Sequence, residues 1–159
     1  MRIAVLADTH VPKRAKTLPA DVWRLINTCD LIVHAGDVLN QQFLDELRSH
    51  KPLLVVRGNN DVGLADVPET LETEVAGKKL AIIHDSGSKA GRAKRMRKRF
   101  PTADIVVFGH SHVPLVEEFE GMLLFNPGSP TDRRMQPKAT MGLIEIDGEK
   151  VTPQIVEIA

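Results

Sequence analysis

The sequence has little cysteine, no excess of either charge and no long apolar run, and each shortage narrows what the chain can be. Cys29 is the only cysteine in 159 residues. It cannot build a disulfide framework or a thiolate metal cage, and this usage fits a reducing compartment, so the cytoplasm is the expected location. Lysine plus arginine equals aspartate plus glutamate at 21 each, so no global field draws the chain to nucleic acid or to a membrane surface. Any anion binding must be local. The opening MRIAVLAD is apolar over too few residues for a secretory signal and is interrupted by Asp8. No stretch approaches the ~20 apolar residues of a membrane span. There is no internal repeat, and the length suits one domain over residues 1–159.

What the sequence does contain is a series of short apolar strands that each end in chemistry. RIAVLAD runs into Asp8, Thr9 and His10; LIVHAGD ends in Gly36 and Asp37; LLVV is followed, after Arg57, by Gly58, Asn59, Asn60 and Asp61. The run to Ile83 ends in His84 and Asp85, and DIVVFGHSH ends in Gly109, His110, Ser111 and His112. An apolar run without a polar face predicts a strand covered on both faces, and open α/β sheets place ligands where such strands end. Any one of these motifs is weak, because Asn, Asp and Gly favour turns by themselves. Their recurrence at successive strand ends is the signal.

The segments between them read as helices and then as hairpins. Val22, Leu25, Ile26 and Cys29 predict a helix over 19–29 with Cys29 as core packing and Trp23 off the buried stripe. Asn40 is expected to cap a helix running to His50, itself a solvated residue, and His34 inside its strand is expected to be hydrogen-bonded support rather than a ligand. Gly77 marks the turn of a hairpin joining 70–75 with 79–83. Lys89 to Arg99 holds seven basic residues among eleven. Two readings of it stay open: a solvated basic helix, or an electrostatic funnel for a phosphate-bearing ligand with Ser86 or Ser88 capping its N-terminus. Without aromatics interleaved among the cations it is not a nucleic-acid site. Further hairpins are expected across Glu120-Gly121 and across Asp147-Gly148. A βα-type half followed by an antiparallel half predicts two packed sheets flanked by helices.

Collected from the strand ends, Asp8, His10, Asp37, Asn59, His84, His110 and His112 are oxygen and nitrogen donors suited to Mn, Fe, Co, Ni or Zn. Seven donors exceed the need of one tetrahedral ion and suit two ions that share a carboxylate. Such a centre activates a bridging water and neutralises phosphoryl oxygens during in-line displacement. No Ser-His-Asp order or Cys-His pair argues for a covalent intermediate.

The ordered set Asp8-Thr9-His10, Gly36-Asp37, Gly58-Asn59-Asn60-Asp61, His84 and Gly109-His110-Ser111-His112 resembles the calcineurin-like metallophosphoesterases. It is most similar to their small bacterial and archaeal phosphodiesterases of the YfcE type, and Asn126-Pro127-Gly128-Ser129 fits the same branch. The resemblance implies an α/β fold, a four-layer αββα sandwich of two mixed β-sheets flanked by helices. It places Asp8, His10, Asp37 and His112 around a first divalent ion and Asn59, His84 and His110 around a second, with Asp37 bridging and Mn the first expectation. It further implies a small phosphoester substrate, catalytic roles for Asp37, Asn60 and His110, and a homo-oligomer, dimer or tetramer.

Two positions depart from the family pattern. Many members carry a histidine where this chain has Asn60; an amide donates a hydrogen bond but gives up no proton near neutral pH, so substrates with good leaving groups, diesters or aryl esters, are expected. Asp85 stands where glycine is common, a carboxylate that could orient a ligand or repel an anion. A non-catalytic scaffold on the same fold is opposed by the seven filled ligand positions, and a nuclease by the neutral charge and the missing capping domain. Specificity is expected in loops 11–18, 62–70 and 130–138.

Overall fold

The computed structural model describes residues 1–64 and 66–159, so residue 65 of the expected 62–70 loop lies outside the described residues. The chain runs β1 (Arg2–Leu6), α1 (Ala20–Asn27), β2 (Leu31–His34), α2 (Gln41–His50), β3 (Leu53–Val55), β4 (Thr70–Val75) and β5 (Lys78–Ile83). It continues with α3 (Arg92–Arg99), β6 (Ile105–Val107), β7 (Leu115–Phe119), β8 (Met122–Asn126), β9 (Ala139–Asp147) and β10 (Lys150–Ile158). These strands form two five-stranded sheets, ordered β10-β9-β1-β2-β3 and β4-β5-β6-β8-β7. The expected αββα sandwich of two mixed sheets is what the chain adopts.

Alternation along each strand builds the layers, since successive side chains point to opposite faces. Ile3, Val5 and Ala7 face the second sheet, where they meet Ile82, Ile105, Val107 and Phe125. Ala4 and Leu6 face outward, onto Val22 and Ile26 of α1 and Phe43, Leu44 and Leu47 of α2. On the far side Met96 and Phe100 cover Ala81, Val106 and Leu124. Every strand that ends in a site residue is thus buried on both faces, which is why these runs lack a polar alternation. Helix α2 begins as expected, with the Asn40 carboxamide accepting from Phe43 N at 2.9 Å, a cap contributing about 1 kcal/mol.

Both sheets are mixed, as expected: β9 pairs antiparallel with β1, and β6 and β8 pair in parallel. Two local expectations are corrected. In the last hairpin Asp147 pairs with Lys150, so the loop residues are Gly148 and Glu149, with φ +58° at the glycine. A glycine at the first loop position suits the turn whose twist matches the strands. Helix α3 starts at Arg92 behind Gly91, and no side chain caps it. Ser86 and Ser88 instead offer their carbonyls to Arg95, whose guanidinium donates to Ser86 O at 2.7 and 2.9 Å and to Ser88 O at 2.6 Å.

Candidate metal centre

Parallel pairing brings the strand ends to one edge. Leu6 is level with His34, His34 with Val55, and Ile82 with Val107, so β1, β2, β3, β5 and β6 release their next residues around a common point. The backbone then knots there: Asp8 N donates to Gly36 O at 3.0 Å, His10 N to Asp37 O at 3.1 Å and Gly109 N to His84 O at 3.0 Å. Asp8, His10, Asp37, His110 and His112 all have φ between +47° and +71°. Non-glycine residues hold that conformation at a cost of about 1 kcal/mol or more each, and such strain persists only where surrounding bonds fix it. The glycines before the ligands give room: a Cβ on Gly58 would lie 2.2 Å from Asp37 Oδ1, and one on Gly36 2.6 Å from His84 Nδ1.

Asp8, His10, Asp37, His84 and His112 form a buried floor. Two triads can each converge on one ion, Asp8 with His10 and His112, and Asp8 with Asp37 and His84. Asp37 Oδ2 lies 3.4 Å from His10 Nε2 and 3.5 Å from His84 Nε2, while Asp8 Oδ1 lies 3.7 Å from His112 Nε2 and 3.8 Å from His84 Nε2. Asp8 is therefore common to both triads, and Asp37, a member of the second, also approaches His10 of the first. Asn59 and His110 stand above them, with Asn59 Oδ1 2.9 Å from His84 Nε2 and 3.3 Å from His110 Nδ1. His110 and Asn59 stand apart from the rest of the predicted set: both are exposed, the His110 side chain by 47 %, and neither belongs to a triad.

The donors fit divalent cations on two grounds. Asp8 Oδ1 and Oδ2, His10 Nε2 and His112 Nε2 are buried without a hydrogen-bond partner among the described residues, an arrangement that costs several kcal/mol unless something completes it. The electrostatics agree. Burial, with the Asp37 carboxylate alongside, pushes Asp8 up to about 7 despite His84. Burial alone would lower His84, yet its hydrogen bond to Asp37 and the charges of both carboxylates raise it, the direction in which clustered carboxylates favour a positive charge. Burial also pushes Asp37 up, but His84 and two hydrogen bonds from Asn60 outweigh it and hold Asp37 well below the usual carboxylate range. Burial lowers His10 and His112, which favours the neutral imidazole with a free lone pair.

Supporting bonds aim the ligands. His112 Nδ1 meets Asp132 O at 2.6 Å and His84 Nδ1 meets Ala35 O at 2.7 Å, so both rings turn Nε2 inward. Sequence reasoning missed most of this support. The Asp61 carboxylate accepts from the amides of Asp37 (2.8 Å), Gly58 (2.9 Å) and Leu39 (2.7 Å), and Ser129 Oγ donates to Asp8 O at 2.8 Å from 121 residues away. The only available signals were the last letter of G-N-N-D and the N-P-G-S run. His34 is buried support as expected, held between Thr9 Oγ1 at 3.0 Å and Gly36 N at 3.1 Å. His50 and Trp23 stack on each other at 4.3 Å, apart from the centre.

Asn60 and Asp85 occupy the rim. The Asn60 amide donates to Asp37 Oδ2 at 2.9 Å and its backbone N–H to Asp37 Oδ1 at 3.0 Å, so Asn60 positions a carboxylate besides facing the opening. Asp85 accepts from Gly87 N at 2.8 Å and lies 4.0 Å from His110.

A sequence model of the calcineurin-like phosphoesterase superfamily domain matches residues 1–149. A probable metallophosphoesterase of Methanothermobacter thermautotrophicus is 35% identical over 160 residues, covering 98% of this chain and 92% of the relative. Among solved structures, wild-type Vps29 of Entamoeba histolytica in complex with Zn2+ superposes with TM-score 0.79 at 22% identity, covering 99% of each chain. An archaeal phosphodiesterase superposes with TM-score 0.74 at 20% identity, covering 98% of this chain and 100% of its own. At those identities the two structures speak for the fold.

Proposed function

The chain belongs to the calcineurin-like phosphoesterase superfamily, and within it we propose a metal-dependent phosphodiesterase acting on small phosphoesters. The carrying observation is the convergence of four partnerless buried donor atoms from Asp8, His10 and His112. Asp8, His10, Asp37 and His112 would hold one divalent ion, and Asn59, His84 and His110 a second, with Asp37 shared and Mn the first expectation among Mn, Ni, Co, Fe and Zn. When bound, the two ions supply a hydroxide nucleophile at neutral pH and counter-charge for the phosphoryl oxygens.

The chain's own residues do the remaining work. Asp132 O and Ala35 O fix the tautomers of His112 and His84, keeping each Nε2 lone pair available. Asn60 steadies Asp37 with two hydrogen bonds. Because its amide has no proton to give, a departing alkoxide must be stable by itself, which favours diesters and aryl esters. The complete donor set favours a hydrolase over a scaffold, the other use that a shared fold permits.

The test is to strip the protein with chelator, reload it with Mn2+, and follow bis-p-nitrophenyl phosphate and p-nitrophenyl phosphate. Turnover that depends on the metal and favours the diester is expected. A metal-loaded protein that hydrolyses neither would overturn the proposal in favour of the scaffold.

A further inference from the structure

Next to the donor cluster a cavity of about 270 Å3 opens between the end of β3, the start of β4, the end of β5 and the last turn of α3. Asn59 and His84 form its inner wall, so the cavity and the candidate metal centre share residues, and Arg57, Glu69, Asp85 and Arg99 line the rest. We propose that this cavity receives one ester arm of the substrate, and that this arm carries its own anionic group, a carboxylate or a phosphate, bound by Arg57 and Arg99. The inference rests on phosphoester hydrolysis at the adjacent centre.

Three observations carry it. Position comes first: an arm entering here leaves from beside Asn59 and His84, where the phosphorus of the proposed reaction would sit. Size comes second. At about 270 Å3 the cavity is just under the ~300 Å3 at which small-molecule sites begin, which suits a glyceryl- or pentose-sized arm and not a polymer strand.

Charge comes third. Of the cavity's carboxylates, Glu69 pairs with Arg57 at 2.9 Å, and Asp85, turned toward His110 at 4.0 Å, accepts from Gly87 N at 2.8 Å and keeps its charge in solvent. Among the described residues Arg99 forms no ion pair or hydrogen bond; its guanidinium lies 5.6 Å from the Phe100 ring. Of the other arginines of α3, Arg95 is committed to the carbonyls of Ser86, Ser88 and Ala90 and Arg97 to four more including Glu120 O at 3.0 Å, while Arg92, above the Phe108 ring at 4.8 Å, does not line the cavity. Arg99 is thus the arginine of the basic helix that reaches the cavity with its donors unspent. A guanidinium fork matches a carboxylate or phosphate edge, and Arg57 has further donors beyond its one bond to Glu69.

The test uses three p-nitrophenyl phosphodiesters that share a three-carbon arm ending in hydroxyl, carboxylate or phosphate. Wild-type Mn2+ protein should prefer an anionic arm over the hydroxyl arm in kcat/KM, and the stronger of the two anions identifies the source. Arg99→Gln should reduce that preference about tenfold, the scale of one charge-assisted hydrogen bond, and Arg99→Lys should restore part of it. Lys94→Gln, which removes a charge from the same helix outside the cavity, should not change the preference. No preference in wild type, or equal losses in Arg99→Gln and Lys94→Gln, overturns the inference while leaving hydrolysis intact. Separately, propane-1,3-diyl bisphosphate titrated into metal-free protein should shift the Arg99 Nε–H NMR signal. That shift without hydrolysis of any ester would keep the anion site and overturn the proposed activity; no shift overturns the site.

Discussion

The floor of the centre and its rim are made from similar residue types and behave differently. Asp8, His10, Asp37, His84 and His112 are buried, strained at four of five backbone positions, and held by hydrogen bonds from behind. Asn59, Asn60, Asp85 and His110 are exposed. A carboxylate under burial is held far from its ordinary pKa, and an orphaned atom there has no water to turn to. On the rim the same groups stay solvated and adaptable. The floor is therefore suited to fixing the cations, and the rim to completing the second ion's ligands and meeting substrates, and the contrast can be broken by experiment.

The largest effect is expected from the floor. Asp37→Asn removes the charge lying between His10 and His84 and should lower Mn2+-dependent turnover on the order of 10^4-fold, whereas His110→Asn on the rim should lower it about tenfold. Steady-state kinetics with metal titration would measure both, and equal losses would erase the distinction between floor and rim.

The second effect concerns acid stability behind the floor. Burial lowers the His34 pKa from 6.5 to about 3. The unfolded chain therefore takes up a proton that the folded chain refuses, so the contribution is intact above pH ~6.5 and is lost as pH falls toward ~3. At 1.36 kcal/mol per pH unit this amounts to about 5 kcal/mol at most. Asp8, raised to about 7 in the metal-free protein, works in the opposite direction over the overlapping window. The difference between wild type and His34→Gln isolates the histidine. Urea midpoints of the two metal-free proteins should converge from pH 7 to pH 4; parallel curves would show that His34 is not buried in its neutral form.

The smallest effect is at the rim. Asn60→His should raise turnover of esters with poor leaving groups about tenfold while aryl esters change little, since only the former need a proton. A plot of log kcat/KM against leaving-group pKa for both proteins gives the answer. Unchanged slopes would mean that position 60 serves only to steady Asp37, the role its two hydrogen bonds already show.

Much of the centre was legible because its ligands follow apolar strands directly, so strand, glycine and ligand lie within a few letters of each other, as in Ala35-Gly36-Asp37. The α3 start was not legible. Ser86 and Ser88 look like caps in the sequence, but a single guanidinium at Arg95 recruits their carbonyls and the helix begins after Gly91 instead. Asp61 looked like a turn residue because a carboxylate that gathers amides from two segments leaves no local pattern.

By itself the sequence determined which residues can coordinate, in what order they arrive, and that the strands delivering them must be covered on both faces, because alternation and motif order are properties of neighbours along the chain. Only the tertiary structure decided that Asp8 is common to the two triads with Asp37 beside it, that His110 belongs to the rim, and that Arg57 and Arg99 share one cavity. Those are distances between residues tens of positions apart, fixed by strand register and by hydrogen bonds such as that of Ser129 to Asp8, and a linear pattern carries no record of them.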